Sequence, residues 1–403
     1  MTERRPAAAR ESQESYGGPV YLDYHATTPV DPEVLAAMLP WFTERFGNAA
    51  SRQYRYGWEA LDAVDSAREH VASLIGAEAK DIVFTSGATE SNNLALKGLA
   101  AALRDGGSSR DRFVTLVTEH KSVLDSLKHL EHDGYDVAYL PVESDGLVDL
   151  DRLRGAVTTN TIAVSVMTAN NEIGVLAQMR EIAAVAHEKG AFVHTDAVQA
   201  VGRVPFDVNQ LGVDLASVTA HKVYGPKGVG ALYVRRRPRR VALTAQLDGG
   251  GHERSMRSGT LNVPGIVGFG AAAQLAAKSL PAESKRLKAL RDRLLKALHA
   301  KVPDVIVNGS LTARVPGNLN VSFPGVDGEA LLVSLCDDVA ISSGAACTAA
   351  EPSHVLKAIG RKTDLALASL RFGLGRWTTE EEVDFAASRV ADVVLRLRAM
   401  APA

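Results

Sequence analysis

The chain has 403 residues, 46% of them apolar and 23% charged, enough for two or three packed domains and too much for a small binding module. Forty-five Lys and Arg against 47 Asp and Glu leave a formal charge of -2, so no global field draws the chain to nucleic acid or to an anionic membrane, and direct contact with either is not expected. Two cysteines, Cys336 and Cys347, make neither a disulfide framework nor a four-thiolate zinc site and fit a reducing cytoplasm.

Residues 1–18, MTERRPAAARESQESYGG, lack the apolar stretch of a secretory signal and read as a disordered tail. Short β-branched runs then alternate with helical patterns: DIVFTS, SNNLALKGLAAAL, FVTLVT, VLDSLKHLEHDG, DVAYLPV, TIAVSVMT, MREIAAVAHEKG, AFVHTDA, DLASVTA and GALYVRR. This alternation predicts an α/β domain with a mostly parallel sheet. From about Pro281 the pattern changes to a charged amphipathic helix, strand-like NLNVSFPG and VAISSG, and further helices, which predicts a smaller α+β domain. The weakly polar run Gly265–Ala277 is too short to span a bilayer. The basic run Arg235–Arg240 reads as a solvated loop, and His129 and His132 as a polar helix face rather than metal ligands, since no HExxH is present. No metal is expected.

Three segments carry chemistry. In TSGATESNN, Thr85–Asn93, a strand runs into a helix N-terminus whose free N–H groups and hydroxyls suit an anion; a plain cap by Thr89 with Glu90 in the first turn explains the same residues. In AFVHTDAVQAVG, Asp196 stands at the carboxyl end of a strand, the edge where open α/β sheets bind ligands. In SVTAHKVYGPKGVG, Lys222 and Lys227 flank a Gly/Pro turn, and burial of either amine would suit it to form a Schiff base. Anion cradle, sheet-end carboxylate and crevice lysine are together the parts that pyridoxal 5'-phosphate requires. A carboxylate at roughly 3 Å from a pyridinium attracts it by about 5 kcal/mol at an effective dielectric of ~20, before desolvation.

The ordered motifs YLDYHATTPVDP, FTSGATESNN, TEHKSVLD, NNEIGV, HTDAVQAVG, HKVYGPKGVGALYVRR, GGGHERSMRSGT, SSGAACT and LRFGLGR resemble those of cysteine desulfurases, specifically the group with the long Cys-bearing loop. The resemblance implies a fold-type I, class V pyridoxal phosphate enzyme and a homodimer with its sites at the interface. It divides the chain into a large cofactor-binding domain, 33–279, and a small domain, 19–32 with 280–403, that carries the Cys loop. It makes Lys222 the imine-forming lysine, Asp196 the pyridinium partner, Gln199 the partner of the ring's phenolic oxygen, and His120 the residue stacked on the ring. Ala88, Thr89, Thr219 and His221 would hold the phosphate, with Thr260 of the other subunit. Asn171 and Arg371 would grip the substrate carboxylate. Read without the family, His120 is a helix cap.

Cys347, in ISSGAACTAAEPS, is then the nucleophile that takes sulfur from L-cysteine as a persulfide and hands it to a protein acceptor, whether for iron–sulfur assembly, tRNA or DNA thiolation, or molybdenum-cofactor sulfuration. Cys336, in EALLVSLCDDV, falls on the apolar positions of a helical pattern and is expected to be buried. Departures from the family pattern are a TAAEPS loop shorter than in housekeeping bacterial enzymes, Thr219–Ala220 in place of Ser-Gly, and an end at LRLRAMAPA without the scaffold-docking extension. They turn the expectation toward a dedicated acceptor rather than a housekeeping scaffold. The rivals are a selenocysteine lyase, a class V aminotransferase, which needs no thiol, and a non-catalytic interaction platform.

Overall fold

A computed structural model describes residues 18–343 and 351–400. Its main element is a seven-stranded sheet built from β1 (Ile82–Thr85), β2 (Arg112–Leu116), β3 (Asp136–Leu140), β4 (Thr161–Ser165), β5 (Phe192–Asp196), β6 (Leu215–Thr219) and β7 (Gly230–Val234), in the spatial order β1-β7-β6-β5-β4-β2-β3. Only β7 runs against its neighbours; the pairs from β6 across to β3 are parallel. The strands other than β3 are buried along nearly their whole length, as a sheet covered on both faces requires. Crossover helices include Ala88–Asp105, Lys121–His132 and Met179–Glu188. The sequence pattern therefore predicts both the alternation of elements and the parallel character of the sheet.

Two helices pack together below this layer, Arg55–Leu74 and the 39-residue Val263–Lys301. A methyl group added at Gly270 would stand 2.6 Å from Ala67 Cα, and one at Gly268 would stand 2.5 Å from Met38 Sδ. The weakly polar stretch from Gly265 is thus a close-packing face. Pro281 does not begin a new element: the helix runs through it, and its second half enters another core made by Leu287, Leu290, Leu294 and Leu298 with Phe323, Phe372 and Val390. That core backs an antiparallel sheet in the order Ser342–Ser343, Ser369–Gly373, Asn318–Ser322, Ile306–Val307. The early segment Val20–Tyr21 pairs in parallel with Val339–Ala340 as a separate two-stranded sheet beside it.

One expectation is corrected. Cys336 is exposed: the helix Gly328–Val333 ends before it, and its thiol lies in the following turn against Val333 O at 3.2 Å. The helical pattern in the sequence outruns the helix. The basic run is also not wholly solvated, since Arg235 is buried on Asp214 at 3.0 Å and Arg239 stacks on the Phe192 ring. His129 and His132 are exposed, and the described residues contain no cluster able to hold a metal. No helix of the described residues is long and apolar enough to cross a membrane.

Candidate active site

Every parallel strand delivers its carboxyl end to one edge of the sheet, and β1, antiparallel to β7, delivers Thr85 to the same edge as Thr219. There lies a cavity of about 1300 Å³. All the residues expected at the site line it except Thr260 and Cys347. Thr260 is exposed and outside this cavity, and Cys347 lies outside the described residues.

The anion cradle forms because helix Ala88–Asp105 starts at Gly87, with φ 156° and ψ 179°, a combination open only to glycine, and has no side-chain cap. A methyl group at Gly87 would meet nothing within 4 Å, so the space over the first N–H groups of this 18-residue helix is open. Thr89 is therefore not the cap. Glu90 instead accepts from Ser86 N at 2.8 Å and from Arg257 Nε at 2.9 Å, stiffening the approach to the helix. Thr219 closes the cradle from β6, and His221 is held by Thr27 at 3.1 Å. Burial, then the charges of Lys222 and Lys227, brings the His221 imidazole down to about 4, so it is neutral near pH 7.

Asp196 ends β5, buried, with Oδ2 accepting from Asn92 Nδ2 at 2.9 Å and Oδ1 from Val198 N at 3.1 Å. His120 is the N-cap of helix Lys121–His132, its Nδ1 accepting from Ser122 N at 3.1 Å. Capping and a site role coexist here: the neutral ring that accepts at Nδ1 carries its proton on Nε2. Lys222 sits in a short 3-10 turn, Ala220–Lys222, and its Nζ donates to the carbonyls of His25 and Ala26, each at 2.5 Å. Burial, followed by the charges of Arg203 and Arg371, lowers its amine to about 7. Lys227, its competitor in the sequence, is exposed.

Arg371 crosses from the second sheet into the cavity. Its guanidinium donates to Asn171 O at 2.9 Å, to Asp23 at 2.8 Å and to Ser342 Oγ at 2.8 Å, and its Nε has no partner among the described residues. Gln199 Nε2 donates to the backbone oxygen of His25 at 3.0 Å, and its Oε1 lies 2.8 Å from the Nδ1 that Arg203 also faces; the second Nε2 hydrogen remains for a ligand.

Several participants carry no signal of their own in the sequence. Asn92 ties Asp196 to Ser122, Asp23 neutralises Arg371, and Arg203 stands behind Lys222. Glu172, also in the wall, is half-buried, and desolvation raises its carboxyl above the ordinary range although Ser353 donates to it. Asp23 and Asn92 fall inside quoted motifs, so a reading of each motif residue by residue for charge would have flagged them. An open helix N-terminus for phosphate, a buried carboxylate at the strand end and a half-buried amine with a lowered proton affinity fit pyridoxal phosphate in donor chemistry and charge.

Known proteins resemble the chain along most of its length. The aminotransferase class-V family matches residues 20–385. A protein of Anaeromyxobacter sp. (strain Fw109-5) named cysteine desulfurase IscS is 59% identical over 386 residues, 95% of this chain and 94% of that one. Among solved structures, a NifS-like protein superposes with a TM-score of 0.87 at 37% identity, covering 94% of this chain and 100% of its own. SspA in complex with cysteine superposes at 0.78 with 36% identity, covering 89% and 99%.

Proposed function

The chain belongs to the cysteine desulfurase family of pyridoxal phosphate-dependent class V enzymes, and we propose that it carries out that chemistry with Lys222, Asp196, His120 and Cys347, converting L-cysteine to L-alanine and leaving the sulfur on Cys347 as a persulfide. The observation that supports this most directly is the pairing, in one cavity, of a half-buried Lys222 whose amine is lowered to about 7 with the buried Asp196 carboxylate. The cofactor, when bound, supplies the electron sink for a carbanion at the substrate Cα. Ala88, Thr89, Thr219 and His221 hold its phosphate, Asp196 its ring nitrogen, and Gln199 its phenolic oxygen.

Arg371 and Asn171 orient the substrate carboxylate, a task suited to the planar guanidinium. Lys222, its amine lowered to about 7, takes the Cα proton. His120, with its proton on Nε2, stands at the rim to return one. The Cys347 thiolate then attacks substrate Sγ: the new S–S bond forms as the Cβ–S bond breaks, and the electron pair left on Cβ is protonated, giving alanine. The terminal sulfur passes to a protein acceptor.

We further propose a homodimer. Leu39, Phe42, Phe46, Tyr56 and Trp58 are each more than half exposed and lie close in sequence at one end of the chain, a concentration of apolar surface that favours burial against a second copy. In that arrangement Thr260 reaches the partner's phosphate site. The large unit 33–279 and the small unit 19–32 with 280–403 share helix Val263–Lys301, and the two cysteines suit a cytoplasmic enzyme.

The deciding experiment is incubation of the cofactor-loaded protein with L-cysteine and a thiol reductant. Equal amounts of alanine and sulfide are expected, with sulfide abolished in Cys347→Ser. Keto-acid formation in place of sulfide would identify an aminotransferase, and no turnover with retained cofactor a non-catalytic platform.

A further inference from the structure

Arg203 is a half-buried cation with no ion pair among the described residues. Its Nη2 donates to Tyr24 O at 2.7 Å and to Lys222 O at 3.3 Å, and its Nη1 meets His25 Nδ1 at 2.5 Å. The nearest acid across the small void behind Lys222 is Glu283, which belongs to Arg376 at 3.0 Å. Arg203 therefore joins two pieces of backbone, residues 24–26 and the turn bearing Lys222. The same short segment supplies the two carbonyls, His25 O and Ala26 O, that receive the Lys222 amine.

We propose that Arg203 is a positioning residue for the Lys222 amine: its fork holds the Tyr24–Ala26 segment against the Lys222 turn, so that two carbonyls fix Nζ in one place, and its unneutralised charge opposes a second positive charge beside it. A neutral amine has two N–H groups and one lone pair. With both N–H groups taken by carbonyls, the lone pair is left for the cavity. A guanidinium cannot relieve the repulsion by losing its own proton, whereas the lysine can.

The charged and titratable groups around Lys222 divide cleanly. After burial, Arg203 and then Arg371 disfavour the ammonium, while Asp23 and Asp196 favour it. Asp23 is already paired with Arg371 at 2.8 Å, which leaves Arg203 as the cation without a counter-ion. His25 lies against both Arg203 and the amine, and burial followed by the Arg203 charge keeps its imidazole uncharged.

The test uses cofactor-free protein and needs no turnover. Lysine acetylation by limiting acetic anhydride is followed from pH 5 to pH 10, with Lys222 and Lys227 resolved by peptide mass spectrometry. In the wild type, Lys222 should reach half-maximal reactivity near pH 7, and Lys227 in the exposed-lysine range. Arg203→Met, close in volume but neutral, should raise the Lys222 midpoint by about one pH unit, making labelling about tenfold slower at pH 6. Arg203→Lys, which keeps the charge, should restore the wild-type midpoint. An unchanged midpoint in a folded Arg203→Met protein overturns the proposal, as does an Arg203→Lys midpoint that moves as far as that of Met. If the Met variant does not fold, the wild-type profile decides: coincident titration of Lys222 and Lys227 overturns the inference. The inference rests on Lys222 as the cofactor's amine, but borohydride trapping on another lysine would end that reading alone and leave the titration unaffected.

Discussion

Asn92 is hydrogen-bonded to Asp196, its Nδ2 lying 2.9 Å from Oδ2 and 2.8 Å from Ser122 Oγ. Ser122 Oγ is in turn 2.8 Å from His120 Nδ1. One side-chain amide thus links the strand-end carboxylate to the histidine at the cavity mouth. The carboxylate is fixed, buried and not neutralised by any cation within ion-pair distance among the described residues.

Replacing that carboxylate tests its role. Asp196→Asn has one acceptor oxygen, so it keeps the hydrogen bond from Asn92 and gives up that from Val198 N, and the fold should survive at a small cost in stability. The charge that would hold a ring nitrogen protonated is lost, and turnover should fall by at least ~100-fold, or about 3 kcal/mol in the barrier. Steady-state sulfide release and circular dichroism measured together check this; a near wild-type rate would make Asp196 a cap.

The two lysines should separate completely. Lys222→Ala removes the amine in the cavity and should abolish both turnover and covalent cofactor attachment, read as borohydride-resistant label by mass spectrometry. Lys227→Ala, a change at an exposed site, should keep both and alter stability by no more than ~0.5 kcal/mol. Label surviving in the first variant and missing in the second would reverse the assignment.

Much of this site is legible in the sequence because it lies on strand ends. β5 reads as AFVHTDA and β6 as DLASVTA, and in a parallel sheet their carboxyl ends must share an edge, so Asp196 and Thr219 are brought together by topology alone. Lys222 against Lys227 is not decidable that way, since burial depends on the Tyr24–Ala26 segment almost two hundred residues earlier. Arg203 reads as an ordinary surface arginine for the same reason. Cys336 misleads because apolar spacing continues past Val333, where the helix stops. Pro281 misleads in the opposite sense: a proline normally marks a boundary, but here the helix passes through it to connect two cores.

Acid should destabilise the protein through its buried histidines. His194, fully buried between Ser165 Oγ at 2.8 Å and Ser217 Oγ at 3.3 Å, is brought by burial from 6.5 to about 3. Its folded-state value lies below its unfolded value, so between these two the unfolded chain binds the extra proton and stability falls as pH falls. The full window corresponds to roughly 5 kcal/mol. His194→Gln should be less stable at pH 7, having lost its serine partners, yet show a shallower loss of urea midpoint from pH 7 to pH 4.5. An equal slope in both proteins would mean that His194 does not titrate on unfolding.

The cysteines should behave unequally, now for a revised reason. Cys336 is an exposed turn residue, so Cys336→Ser should leave stability within ~0.5 kcal/mol and activity intact. Cys347→Ser should retain cofactor and bind L-cysteine, visible as a spectral change, while releasing no sulfide. Equal losses in the two variants would exclude a single nucleophile.

The final prediction joins the exposed apolar cluster to Thr260. The loop 249–262 is anchored in its own chain: Glu253 forms a buried pair with Arg68 at 2.6 Å and accepts from Phe84 N at 2.7 Å, and Arg257 reaches Glu90. Thr260 nonetheless remains exposed and outside the lining of its own cavity, so the phosphate role proposed for its hydroxyl calls for a neighbouring protomer. Two variants should therefore act at different levels. Trp58→Asp, placing a charge on the apolar surface, should yield monomers by light scattering and release cofactor on dilution. Thr260→Ala should remain dimeric but lose one hydrogen bond to a charged group, worth about 1.5–3 kcal/mol, and so weaken cofactor affinity by ~10- to 150-fold. A Trp58→Asp monomer that retains its full cofactor load, or a Thr260→Ala dimer with unchanged affinity, would place the whole phosphate site within one chain.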